Sequence, residues 1–173
     1  IWLEKDLNTG AAWYHISRDW LAQNDMMVEK AKCVEISNYE NYVAWSRQNQ
    51  PMMVLHELTH LYHDLGLEGS YDYAPILNAY NKAKSKGMYT SKDPNWKGYR
   101  YNIGDAESKW TKPESSYHMQ NHHEYFTEST EAYWGENDYY PFNYELLKEY
   151  DPDMFEVLVD IWGPRPDKVE TGN

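Results

Sequence analysis

Apolar and polar positions along the 173-residue chain alternate early and turn helical later. Ile1-Trp2-Leu3-Glu4-Lys5 and Ala11-Ala12-Trp13-Tyr14-His15 are short strand-like runs, and Asn8-Thr9-Gly10 between them predicts a hairpin turn. Ser17 stands where it can cap a short helix reaching Gln23, and residues 31–36 read as a buried strand. Beyond them the spacing predicts a helix over 41–49. Pro51 then takes the first position of the next helix. A helix over 74–86 stops at Gly87, and one over 121–134 ends at Gly135. Asp151-Pro152 opens a last helix over 153–162, ended by Gly163. Residues 88–118, rich in Tyr, Gly, Lys and Asp, read as loops with short strands. The predicted class is α+β, mainly helical, with a small early sheet. The length fits one domain over residues 1–173, alone or as the C-terminal part of a longer precursor.

Composition narrows the function classes. Lys and Arg number 16 against 28 Asp and Glu, a net charge of −12, which argues against a nucleic-acid partner. The same charge is compatible with basic substrates, although solubility is the simpler reason for it. Cys33 is the one cysteine, so neither an intrachain disulfide nor a thiolate zinc cluster can form. No apolar run approaches the length of a membrane span. The chain opens on Ile1 rather than Met, which reads as a processed or trimmed form with any signal peptide out of view. With 17 Tyr and 8 Trp it suits a rigid protein outside the cytoplasm, whether secreted, cell-surface or periplasmic.

Residues 51–64, PMMVLHELTHLYHD, hold the densest candidate chemistry. On a helix, His56 and His60 stand one turn apart on one side, where two imidazoles can reach one ion at about 2.0–2.1 Å. Glu57, turned about 100° from His56, borders such a site without filling it, the place of a general base. Met52, Met53, Val54, Leu55, Leu58, Leu61 and Tyr62 surround these polar residues and argue for burial over a solvated face. A catalytic zinc needs a third protein ligand. His63 is near but offset along the helix, and HExxHxxGxxH fails because position 63 is His and 66 is Gly. Downstream, Glu124 and Glu128 share a helix face, so one can ligate while the other accepts a hydrogen bond from a ligating imidazole. Read alone, Asn121-x-x-Glu124 is also a capping box. Beside HELTH, the ligand reading prevails.

HELTH followed by Asp64 resembles the zinc helix of thermolysin-type enzymes. Tyr117, Asn121 and Glu124-Tyr125-Phe126-x-Glu128 resemble the second half-site of anthrax lethal factor-like metallopeptidase domains. Both belong to the gluzincin group of zinc peptidases, with a zincin-like fold. The resemblance covers residues 51–64 and 117–134. It implies one Zn2+ per chain held by His56, His60 and Glu124, with Glu128 supporting the first histidine and Asp64 capping or orienting the zinc helix. It also implies Tyr117 as the oxyanion donor, a role His118 could fill instead, while His122 and His123 depart from the family pattern. Glu57 would be the general base and a protein or peptide the substrate, added as a strand along 11–15 or along part of 88–103. The expected activity is that of a zinc-dependent metallopeptidase, an endopeptidase. The competing expectations are a zinc amidase acting on a cell-wall-type amide and a non-catalytic binding module stabilised by zinc.

Overall fold

In a computed structural model of the chain, residues 1–104 and 110–165 are described. About half of them are helical, and three short strands form one small sheet, so the class is α+β. The strands are β1 (Trp2–Leu3), β2 (Ala12–Tyr14) and β3 (Val34–Ile36). Their order is β1-β3-β2, with β1 parallel and β2 antiparallel to β3, so the expected hairpin does not form. The turn residues serve β3 instead. Leu7 N–H donates to the Ser37 carbonyl at 2.9 Å, and Asn8 accepts from Gly10 N–H and from the Asn38 amide. All three residues of β3 are buried, as a central strand requires. Glu35 in its middle accepts from Lys30 and from His15 Nε2, the latter at 2.5 Å.

Seven α-helices lie among the described residues, six of them anticipated though with shifted ends. They are α1 (Arg18–Gln23), α2 (Tyr39–Gln48), α3 (Met53–Leu65), α4 (Ala74–Ser85), α5 (His122–Trp134), α6 (Tyr144–Tyr150) and α7 (Pro152–Trp162). Ser17, Asn38, Asn121, Asn143 and Asp151 cap five of them by accepting backbone N–H bonds. Pro51 is not in the first turn of α3. It lies in a preceding turn, and the helix starts at Met53. Helix α6 was not anticipated. Residues 90–116 supply isolated bridges, Thr90 to Ser115 and Tyr99 to both Thr111 and Tyr139, rather than the expected strands. That expectation also touches 105–109, which lie outside the described residues.

Helix α5 is the centre of the fold, with every residue from Tyr125 to Tyr133 buried. Helices α4, α6 and α7 pack on one side through Ile76, Leu147, Met154 and Leu158, all fully buried. Each such side chain contributes roughly 1.5–3 kcal/mol by leaving water. On the other side α3 lies against α5 and touches β2 and β3. Gly135, just past the end of α5, sets how closely the two helices approach. A Cβ there would lie 2.6 Å from Met52 Sδ, at the start of α3. The helices therefore run antiparallel, with residue 56 facing 131 and residue 60 facing 124.

Candidate metal centre

The register of α3 against α5 converges three donor atoms. His56 Nε2 and His60 Nε2 lie 3.2 Å apart, and Glu124 Oε2 is 3.1 Å from the first and 3.2 Å from the second. All three residues are half-buried. Protons satisfy this triangle poorly. If both imidazoles donate to Glu124, their N–H groups face each other. One central cation would satisfy all three lone pairs. Donors placed tetrahedrally about a zinc ion at 2.0–2.1 Å would stand about 3.3 Å from one another, close to the spacing found. Two imidazole nitrogens and one carboxylate oxygen are also a donor set that zinc accepts. The residues therefore fit the ion that the motif implied.

The other nitrogen of His56 is held as well. Its Nδ1 donates to Glu131 Oε1 at 2.7 Å, whereas Glu128 Oε1 stands at 3.6 Å, beyond hydrogen-bond reach. The carboxylate beneath His56 is thus Glu131, three residues past the expected Glu128. Burial disfavours a charged His56, but hydrogen bonds to Glu124 and Glu131 outweigh it and raise its pKa well above the usual value. Burial would raise the Glu124 pKa, yet the hydrogen bonds from His56 and His60 hold it far below the carboxylate range. Glu57 is raised by burial, with the two histidines pulling the other way. Its side chain lines a cavity of about 320 Å³ together with His56, Tyr117 and residues 10–13 of the β2 segment.

The remaining candidates divide clearly. Tyr117 is 40% exposed, borders this cavity, and has its ring 6.4 Å from that of His56. Burial and the Glu124 charge push its phenol up to about 12, so it stays a neutral donor. His118 is fully buried, stacks on Tyr89 and bonds Ser116 Oγ through Nδ1 at 2.8 Å. Burial pushes its pKa down to about 3. Asp64 faces away from the three donors. It accepts from Tyr14 Oη at 2.5 Å, from Ser70 Oγ at 3.2 Å and from Lys32, fastening the end of α3 to β2. His63 is fully buried, with no hydrogen-bond partner on either ring nitrogen among the described residues. His122 Nε2 donates to the Tyr71 carbonyl at 2.7 Å, and His123 stacks on the Tyr71 ring.

Sequence reasoning missed Glu131, Asp138, Tyr99 and Tyr139, all of which line the cavity. Glu131 was within reach, since 124, 128 and 131 form one helical stripe. The other three sit on irregular backbone joined by the Tyr99–Tyr139 bridge, which carries no local signal. Glu128, Glu131 and Asp138 are all nearly buried. Burial and the neighbouring carboxylate of Glu131 raise the Glu128 pKa well above its usual value and that of Asp138 to about 8.

No protein-family model matches this chain, and no curated protein or solved structure is significantly similar to it.

Proposed function

We propose that the protein is a zinc-dependent metallopeptidase of the gluzincin type, with a zincin-like fold. The observation that carries the reading is the meeting of His56, His60 and Glu124 within 3.2 Å, beside a cavity that His56 and Glu57 line. When bound, zinc would acidify a water and polarise the scissile carbonyl.

The chain's own residues do the rest. Glu57 accepts a proton from the attacking water and passes it to the leaving amine. Burial raises its pKa, which brings the carboxylate closer to the working pH. Tyr117 donates from the cavity wall to the oxygen that gains charge. Glu131 holds the proton on His56 Nδ1, which leaves Nε2 as the lone-pair donor. β2 pairs with β3 on one side only among the described residues. α3 packs against β2, and an extended peptide adding as a strand would take the unpaired edge of β2.

The test is digestion of a diverse peptide library by the wild type and by Glu57→Gln, each with and without chelator. The reading expects cleavage by the untreated wild type alone. Chelator-resistant cleavage, or parent-level cleavage by Glu57→Gln, overturns it.

A further inference from the structure

The cavity beside Glu57 has a floor that peptide hydrolysis does not require. Glu128, Glu131 and Asp138 all reach it, at 5%, 5% and 4% exposure. Glu131 is engaged by His56. Glu128 Oε2 is a buried oxygen with no hydrogen-bond partner among the described residues; the His118 nitrogen stands 3.7 Å from it and the His56 Nδ1 3.6 Å from the other oxygen. Asp138 accepts a long bond from the Asn49 amide, at 3.4 Å, and backbone N–H bonds from its own residue and from Tyr139, and it pairs with no cationic side chain among the described residues. Arg100, whose backbone N–H meets the Asp138 carbonyl, turns its guanidinium away to Glu136 and the Asn137 carbonyl, both at 2.8 Å. Above this floor the walls are aromatic: Trp13, Trp45, Tyr99, Tyr117 and Tyr139. No Lys or Arg lines the cavity among the described residues.

Buried carboxyl groups lacking a positive partner are costly unless a ligand supplies one. Aromatic walls suit an aliphatic stem with a cation at its end. At about 320 Å³ the space is at the small end of ligand cavities and fits one long side chain. We infer that this cavity recognises an arginine or lysine side chain next to the bond to be cut, with carboxyl oxygens of Asp138 and Glu128 accepting from its cationic end and the tyrosines flanking its stem. A second metal ion among His56, Glu128 and Glu131 is the weaker reading, because His56 Nδ1 already carries a proton held by Glu131. The net charge of −12 draws cationic peptides toward the protein in the same sense. The inference rests on the peptidase reading for its substrate, but the pocket can be tested without turnover.

The probe is butylguanidinium, compared with the uncharged isostere butylurea, titrated into the full chain and followed by ligand-observed NMR. Butylguanidinium should bind at least about tenfold more tightly than butylurea, and Asp138→Asn should reduce that advantage to about threefold or less. Glu128→Gln provides the same comparison if Asp138→Asn does not fold. Equal binding of the two probes to the wild type overturns the inference. So does an advantage undiminished in the folded variants. In parallel, paired peptides with arginine or citrulline beside the scissile bond should show a preference for arginine in kcat/KM that Asp138→Asn lowers. If butylguanidinium is selected but no peptide is cleaved, the pocket stands and the peptidase reading falls.

Discussion

Helices α3 and α5 bring together two groups of histidines, and the groups differ in what faces them. His56 and His60 meet Glu124, with Glu131 beneath His56. One turn further along, His63 meets His122, His123, Tyr71 and Phe126 in an aromatic box, with no hydrogen-bond partner on either nitrogen among the described residues. The pKa values diverge accordingly. That of His56 is raised well above normal, because its hydrogen bonds to two carboxylates outweigh burial, while burial takes that of His63 down to about 3. Histidines on one helix thus become ligand-ready or inert according to the carboxylates supplied by the facing helix. An acid stripe at 124, 128 and 131 provides this for the first group only.

The largest effects should fall on the carboxylate-backed group. Glu57→Gln should lower turnover by about 10²–10⁴ with zinc content unchanged. Tyr117→Phe should cost on the order of 10²–10³ in kcat, about 2.7–4 kcal/mol, with little change in KM. Normal kcat in Tyr117→Phe together with a large loss in His118→Ala would move the oxyanion donor to the buried histidine. Glu131→Ala should weaken zinc affinity by about 10- to 100-fold, and Glu128→Ala by clearly less. The reverse order would return the supporting role to Glu128.

A pH titration sharpens the contrast further. Above about pH 6.5 the metal-free folded chain keeps protons on His56 and Asp138 that the unfolded chain has released. A raised folded pKa gives stability that fades as pH rises through it, so the apo protein should weaken between about pH 6.5 and 8. The slope is about 1.4 kcal/mol per pH unit for each proton held. His63 and His118, at about 3, add nothing to that slope; their contribution is complete above 6.5 and fades as pH falls below it. Zinc affinity should instead rise over the same window, since His56 must lose its proton to bind metal. Chelated protein whose melting temperature rises from pH 6.5 to 8 would contradict these assignments. The smallest effect belongs to the second group. His63→Phe removes a buried imidazole with no hydrogen-bond partner among the described residues, so stability should hold or rise by up to about 1 kcal/mol in denaturant titration.

How much of this was legible depended on the range of each interaction. His56, Glu57 and His60 are set by one helical turn, and Glu124 by the stripe and cap of a second helix, so local spacing exposed them. Whether Glu128 or Glu131 meets His56 depends on how far α5 slides along α3, and the Gly135–Met52 approach sets that tertiary register. The early strands were visible as strand-like runs. Their order was not, because β3 takes the centre through Glu35, whose charge needs His15 and Lys30 from elsewhere in the chain. Asp138, Tyr99 and Tyr139 meet on irregular backbone far apart in sequence, beyond any periodic signal. Helix α6, seven residues long, carries no clear period, and its local signal is the Asn143 cap, as Ser17 is for the six-residue α1.

The most direct test of the central claim is metal content. Wild type, Glu124→Ala and His63→Phe would be equilibrated with limiting zinc, desalted and measured by elemental analysis alongside a thermal melt. The account predicts one zinc per chain in the wild type and in His63→Phe, and little retained by a folded Glu124→Ala. Full zinc in Glu124→Ala, with loss in His63→Phe, would contradict it and transfer the metal to the other group of histidines.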